Sequence, residues 1–379
     1  MYPHLPSLTF RPVTAPLLAL LLLCVSVAIG GCQRRAEPLA SYEYAAQGLY
    51  AAALKSNGEQ AIVGSINHGA SLWQVNDNAR LFNWNHKRGE YSQVVSAAFA
   101  RDTRFAVTAT PQTMVLWNTA TGEGTNFWTA PSEILDIKLL PNGNYALLGL
   151  ADHTASIFDV REGGVKQVFY HKGRVNSVAV NAERGLVLSG SEDNSARLWR
   201  LQGGEQIHRW DHDEDVQLVA LSEDGKVAFT MSKYDKAALW NTDDGSSLGT
   251  IPLQRTAIAR GQLFTAVAFS KDGSQLLTGN ADRLIQLWDV ASLNELARWQ
   301  VPKRDPLRPT SASILAVAFD TNGRYLAIAS DGFLHQLGNK TDSNHTKNAS
   351  ALPFEVPTDS QANGDTISDS SDALESIQP

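Results

Sequence analysis

A short apolar run ending in an aromatic recurs along the chain at Trp73, Trp117, Phe158, Trp199, Trp240 and Trp288, with Leu337 in the seventh place. Successive spacings are 44, 41, 41, 41, 48 and 49 residues. Self-similarity at such a period confines the chain to a repeat architecture, because each unit is one supersecondary block that buries its apolar side only against a neighbour. A second pattern, apolar at i, i+3 and i+5, lies upstream of each aromatic. It reads Val94/Ala97/Phe99, Ile134/Ile137/Leu139, Val175/Val178/Val180, Val216/Val219/Leu221, Phe264/Val267/Phe269 and Ile314/Val317/Phe319, opened more weakly by Leu49/Ala52/Leu54. Turn pairs follow it at Asn57-Gly58, Asn142-Gly143, Asp224-Gly225, Asp272-Gly273 and Asn322-Gly323, residues that tolerate the positive φ of two-residue hairpins. A polar turn with Gly122, Gly163-Gly164, Gly203-Gly204 or Gly245 follows the aromatic. No unit sustains the 3.6-residue period of a helix, so each reads as four short antiparallel strands, a to d.

Four strands in about 40 to 45 residues is the sequence form of a propeller blade. The expected fold is therefore all-β, a seven-bladed β-propeller of four-stranded antiparallel blades. The seventh unit stops at Leu337 before any fourth strand, while Ser41 to Ala46 precede the first unit without a partner. An N-terminal strand that completes the last blade removes the open sheet edges that would otherwise invite aggregation. The span from Ser41 to Leu337 is 297 residues, about seven blades of ~42.

The fourth unit carries the fullest pattern, with His171-Lys172-Gly173-Arg174-Val175 leading into strand a and Ser189-Gly190-Ser191-Glu192-Asp193-Asn194-Ser195-Ala196-Arg197-Leu198-Trp199 at its centre. In these stretches the chain resembles the WD-repeat β-propeller family, and the resemblance covers Leu49 to Leu337. It implies a buried hydrogen-bond relay through Trp199, Ser189, His171 and Asp193, structural rather than catalytic, since a serine presented to an indole N–H is committed to packing. Other units depart from the pattern. Asp152 and Asp282 keep the turn aspartate, and Thr278 can replace the serine, but a histidine is missing at the matching place. Unit five has His212, yet Tyr234 stands where aspartate is expected, with Asp235 next to it, and unit two has Pro111 there. Apolar packing is expected to hold most blades instead.

Ahead of the repeats, Arg11 is followed by an apolar run from Ala15 to Ile29 and then Gly30-Gly31-Cys32. The run is shorter than the roughly 20 residues that span a bilayer, and small residues stand where a peptidase binds extended backbone, so residues 1–31 read as an export signal. Ile29-Gly30-Gly31-Cys32 resembles the bacterial lipobox, which implies acylation of Cys32; an ordinary signal peptide with an incidental cysteine is the alternative. After cleavage Cys32 would be the one cysteine left, so no disulfide could form within the molecule. Residues 32–40 are then a tether whose Gln33 to Ala40 reach at most about 30 Å, holding the body of residues 41–340 close to lipid. The resemblance further implies the outer membrane, facing the periplasm, since Gln33 is not the aspartate that typically retains such proteins at the inner membrane.

Net charge is −7, but the segment from Gly338 onward carries seven acidic residues against Lys340 and Lys347, leaving the rest near neutral. No basic stripe is present, so nucleic acid is not an expected partner. Residues 341–379 are rich in Ser, Asn, Asp and Thr and are expected to be a disordered acidic tail; Asn-x-Ser/Thr triplets at Asn339, Asn344 and Asn348 read as chance in that composition. No phosphate-cradling loop or nucleophile elbow is present, and neither a cofactor nor a metal is expected.

These residues favour an interaction scaffold, with a small-ligand binder of the periplasm and a propeller enzyme as the competing classes. The partner is expected to be an envelope protein, with the membrane engaged through the anchor. Strand order puts the d–a and b–c connections on one face, and the d–a connections carry charge: acidic at Asp211, Asp213, Glu214 and Asp215, basic at Arg255 and Arg260 and at Lys303, Arg304 and Arg308. That rim is the candidate partner surface, against the alternative of solvent-facing linkers. The acidic cluster around His212 could also hold a divalent cation, although a solvated turn is the commoner identity of such a run.

Overall fold

A computed structural model of the chain describes residues 36–101, 104–233, 236–251, 263–305, 307 and 312–338. The export signal, Cys32, Tyr234, Asp235, Arg255, Arg260, Arg308 and the acidic tail lie outside the described residues, as does the whole of a second unit from Asn344 to Pro379. The chain opens with β1 (Ala40–Glu43). Blade 1 is β2 (Leu49–Leu54), β3 (Gln60–Ser65), β4 (Gly69–Gln74) and β5 (Ala79–Trp84); blade 2 is β6 (Ser96–Phe99), β7 (Phe105–Ala109), β8 (Thr113–Asn118) and β9 (Gly124–Thr129). Blade 3 is β10 (Ile134–Leu139), β11 (Tyr145–Leu150), β12 (Thr154–Asp159) and β13 (Val165–Tyr170); blade 4 is β14 (Val175–Asn181), β15 (Leu186–Ser191), β16 (Ser195–Arg200) and β17 (Gln206–Asp211). Blade 5 is β18 (Val216–Leu221), β19 (Val227–Ser232), β20 (Ala237–Asn241) and β21 (Ser247–Ile251); blade 6 is β22 (Phe264–Phe269), β23 (Gln275–Asn280), β24 (Leu284–Asp289) and β25 (Glu295–Gln300). β26 (Ile314–Phe319), β27 (Tyr325–Ala329) and β28 (Phe333–Leu337) form blade 7, whose fourth strand is β1, in the order β1-β28-β27-β26. The fold is the expected seven-bladed propeller, closed by its N-terminal strand.

Buried apolar residues of the described chain fall into seven clusters, one at each junction between consecutive blades. Trp84 and Leu72 of blade 1 meet Trp117 and Val94 of blade 2, for example, and Tyr44 and Trp73 meet Ile328 and Leu334 across the closure. This wedge arrangement follows from alternation in strands buried on both faces, where each face meets a different neighbour. Glycine near the end of strand b lets blades approach: a methyl at Gly190 or Gly279 would overlap Val216 or Ile314 of the next blade. Each strand a contacts the strand a of the next blade, and β26 contacts β2, so the inner strands form a complete ring.

The a–b turns differ in length from the expected two-residue hairpins. Lys55 N–H donates to Gln60 O and Ser222 N–H to Val227 O, which leaves four residues in each loop. Gly58 and Gly225 then sit in the left-handed region at φ 72° and 67°, as the last corner of a turn that the Asn57 or Asp224 carboxamide or carboxylate oxygen stabilises from within. The residue after the repeated aromatic stabilises the next turn in a related way. Asn118, Asp159, Asn241 and Asp289 accept backbone N–H groups of the c–d turn through their side chains.

Candidate functional site

In blade 4 the four expected relay residues come together. Trp199 Nε1–H donates to Ser189 Oγ at 2.8 Å, the His171 Nε2 lies 2.7 Å from that hydroxyl, and His171 Nδ1 lies 3.1 Å from Asp193 Oδ2. Burial lowers the His171 pKa and outweighs the pull of Asp193, so the imidazole is neutral. Burial works the other way on Asp193, but hydrogen bonds from His171, the Lys172 amide and Ser195 prevail and hold its carboxyl well below the usual range. Arg197 closes the group through Asp193 Oδ2 at 2.8 Å. Ser189 has no exposed surface, so its hydroxyl is an acceptor inside a packed blade and not a nucleophile facing a substrate.

A second relay stands in blade 2, where the repeat pattern offers only Pro111 and apolar packing. Trp117 donates to Thr108 Oγ1 at 2.8 Å, His86 Nε2 lies 2.9 Å from the same hydroxyl, and His86 Nδ1 lies 2.8 Å from Thr113 Oγ1. Threonine replaces both serine and aspartate there. His86 is eight residues ahead of Val94, whereas His171 is four ahead of Val175, so a longer connection hides it. The remaining blades obey one rule. Trp240 donates to Thr230 and Trp288 to Thr278, whereas Phe158 faces a strand b with Leu148 at that place and Leu337 one with Ala327. Trp73 meets Val63 there and donates to Ser71 of its own strand instead.

The residues of the charged rim have different surroundings. Asp211 takes Arg209 at 2.7 Å, Glu214 is exposed, and Asn194 Nδ2 donates to the Asp213 carbonyl. Among the described residues no group of three or more histidine, cysteine or acidic side chains is placed to hold a metal. Lys303 is half-buried, and Arg304 is committed within the molecule. The Arg304 guanidinium donates to Asp331 O at 2.7 Å, to Ala45 O at 3.1 Å and to the Glu43 carboxylate, and lies over the Phe333 ring at 5.1 Å. It fastens β1 to the b–c turn of blade 7, so this cation of the rim serves closure.

The axis holds residues that the repeat pattern passes over. Six of the seven strands a carry a β-bulge near their first residue, for instance between Leu49 and Ala51 and between Val175 and Ser177. The bulged residue emerges between buried neighbours: Tyr50 is 45% exposed, with Leu49 and Ala51 at 5% and 6%. Taken round the ring from blade 7, the matching positions are Leu315, Tyr50, Val95, Leu135, Asn176, Gln217 and Thr265. One step deeper, the Asp136 carboxylate accepts Ser96 Oγ, the Ile137 amide and Lys138 Nζ on one oxygen and Ser177 Oγ and the Val178 amide on the other. Ser177 Oγ in turn accepts the Val219 amide at 3.2 Å, so blades 2 to 5 are joined at the hub. On the opposite face Arg101 reaches Glu183 and Glu223, joining the a–b turns of blades 2, 4 and 5. A shallow groove of about 280 Å³ on that face is lined by Leu248, Asp272 and Asp289. Asp272 is held down to about 2 by hydroxyls of Ser270 and Ser274, so both serine and carboxylate are spent within the turn.

A family profile described as WD domain, G-beta repeat matches residues 163–200 and 256–289. Over 262 residues the chain is 26% identical to a guanine nucleotide-binding protein subunit beta of Oryza sativa subsp. japonica, covering 62% of this chain and 68% of that protein. Over 205 residues it is 26% identical to pre-mRNA-processing factor 19 homolog 2 of Arabidopsis thaliana, covering 52% of this chain and 36% of that protein. A match to periodic tryptophan protein 2 of Arabidopsis thaliana is 23% identical and covers 45% of this chain and 21% of that protein. The chain thus spans about a third of the processing factor and about two thirds of the beta subunit. With seven four-stranded blades and buried Trp-hydroxyl pairs already described, the chain is a WD-repeat β-propeller.

Proposed function

We propose that the chain is a non-catalytic protein-interaction platform of the bacterial envelope, tethered through acylated Cys32 and facing the periplasm from the outer membrane. The observation that carries the platform reading is the d–a face. Tyr50, Ile66 and Tyr91 are 45%, 41% and 69% exposed there. Exposed aromatics on a rigid scaffold are the usual mark of a docking surface. The names of the relatives, a subunit and a processing factor, support work within an assembly. The Ser189-His171-Asp193 set supports the non-catalytic reading, because every member is taken up in packing. The envelope address rests on the lipobox resemblance alone. Affinity capture at native expression from detergent-solubilised membranes tests the platform. A stoichiometric envelope protein is expected, and a chain that elutes as a lone monomer overturns the reading.

A further inference from the structure

We infer that the outer wall of blades 5, 6, 7 and 1 lies against a lipid bilayer surface, so that the propeller stands on its rim with neither face turned to the membrane. That orientation rests on the acylated anchor proposed above, and deepens it by assigning the side of the body that the anchor brings to lipid. Its basis is a second set of bulges, on the outermost strands. Where strand d pairs with strand c, one residue of strand d drops out of register beside the c–d turn. It is Leu248 in blade 5, Leu296 in blade 6 and Leu81 in blade 1, and Leu39, directly before the Ala40↔Gln336 pair, holds the same place in blade 7. Blades 2, 3 and 4 have Thr125, Lys166 and Ile207 there. Leucine thus recurs in consecutive blades 5, 6, 7 and 1, at 43%, 51%, 37% and 39% exposed. One exposed leucine is ordinary, but a contiguous row of them at one height is a surface made for contact.

The N-terminal leash decides what this wall meets. Ala36 opposes Trp299 on the free edge of β25, three residues along from Leu296, which is about 10 Å at the rise of a strand. Cys32 lies four residues ahead of Ala36, so even fully extended chain keeps its acyl group within about 14 Å of that edge. The row of leucines is centred on this point, with blade 5 to one side and blades 7 and 1 to the other. Leu293, in the c–d turn of blade 6, fills the gap toward blade 5, where a methyl at Gly249 would overlap it. Charge on these strands is absent or compensated. β21 has no ionisable side chain, Arg298 holds Glu295 at 2.6 Å within β25, and Arg304 holds Glu43 of β1. Arg80, beside Leu81, is a cation of the kind that lipid phosphates attract. The open backbone edges of strands d would go unsatisfied in hydrocarbon, so the wall stops among the headgroups and only leucine side chains reach deeper.

A chain whose Cys32 is acylated and whose signal is removed has no free thiol, so a single introduced cysteine can carry a fluorophore. The full chain, purified from its membranes, is placed on vesicles of phosphatidylethanolamine and phosphatidylglycerol that contain lipid brominated on the acyl chain. Labels at Leu39→Cys, Leu248→Cys and Leu296→Cys are expected to be quenched about threefold more strongly than labels at Thr125→Cys and Lys166→Cys, because an interfacial surface sits about 5 to 10 Å into the headgroup boundary. Unfolding midpoints are measured alongside, so that quenching is scored only in folded protein. The mass of the N-terminal peptide reads acylation separately. An acylated chain quenched equally all round the wall, or most strongly at Tyr50→Cys on the d–a face, leaves the anchor standing and overturns this orientation. An unacylated chain removes the anchor and the orientation together. Emission changes at the leucine positions that follow protein concentration and not brominated lipid show a second copy of the chain on the wall, and overturn the inference as well.

Discussion

At the scale of single residues, the side chains follow from one requirement, that a buried indole N–H find an acceptor. Blades 2, 4, 5 and 6 place a hydroxyl on strand b opposite the tryptophan, while blades 3 and 7 dispense with both partners. Ser189→Ala leaves the Trp199 indole and a nitrogen of His171 unpaired in a site without solvent, and is expected to lower stability by about 2 to 3 kcal/mol in urea unfolding. Adding Trp199→Phe is expected to cost less than the two single changes summed, because the second change removes one of the unpaired groups. Histidine sets a second expectation. His86 is half-buried and His335 buried, and desolvation lowers both to about 4, so above pH 6.5 both the folded and the unfolded forms are neutral. Between pH 6.5 and about 4 the unfolded chain binds protons that the folded chain refuses, and stability falls as pH falls. At pH 5 each contributes a loss of about 2 kcal/mol, and His335→Gln is expected to flatten the pH 7 to pH 5 difference in unfolding midpoint. Ser189, Asp193 and Trp199 are legible in the sequence because their spacing is rigid within one hairpin. His86 is not, because it comes from a connection whose length no strand period constrains.

At the scale of elements, β1 carries more than its four residues suggest. It pairs with β28 from Ala40↔Gln336 to Glu43↔Phe333, Ser41 Oγ meets His335 Nδ1 at 2.8 Å, and Arg304 ties Glu43 and Ala45 to the Asp331 turn. The missing fourth strand of the last unit makes this closure readable from sequence. Its fastening is not, since a proline-flanked run of charges looks the same whether it serves a partner or its own molecule. Arg304→Glu is expected to destabilise the protein by about 1.5 to 3 kcal/mol through lost charge-assisted hydrogen bonds. Lys303→Glu, one residue away, is expected to stay within about 0.5 kcal/mol. Equal effects in thermal unfolding would show that Arg304 has no special part in closure. The same difference bears on the rim: charge reversal that includes Arg304 loosens the last blade and confuses loss of fold with loss of partner. Turn length is hidden for a related reason, since Asn-Gly and Asp-Gly suit the last corner of a four-residue loop as well as a two-residue hairpin.

At the scale of the whole molecule, closure makes every blade an interior one, with a wedge of apolar side chains on each side. The seven-fold period makes this architecture legible, whereas the bulges at the axis are invisible, because one extra residue in six of the strands a shifts no repeat length. Anchoring acts at the same scale. Cys32→Ser is expected to release the protein from membranes or to leave an uncleaved precursor, and a processed variant that still fractionates with membranes would remove the lipobox assignment. Between Cys32 and the body, Ala36 makes a parallel bridge to Trp299, accepting the Gln300 amide at 3.0 Å and donating to Arg298 O at 2.9 Å. The chain thus touches the outer edge of blade 6 before it enters blade 7 as β1. A load between the N-terminal leash and the body therefore runs along β1, so the rungs of its ladder resist together in shear. A load between the N-terminus and the end of β28 enters at the same end of that ladder, beside the Ala40↔Gln336 pair, and peels the rungs one at a time. The propeller is sturdy against a drag on its N-terminal end and weak against a pull between that end and the end of β28.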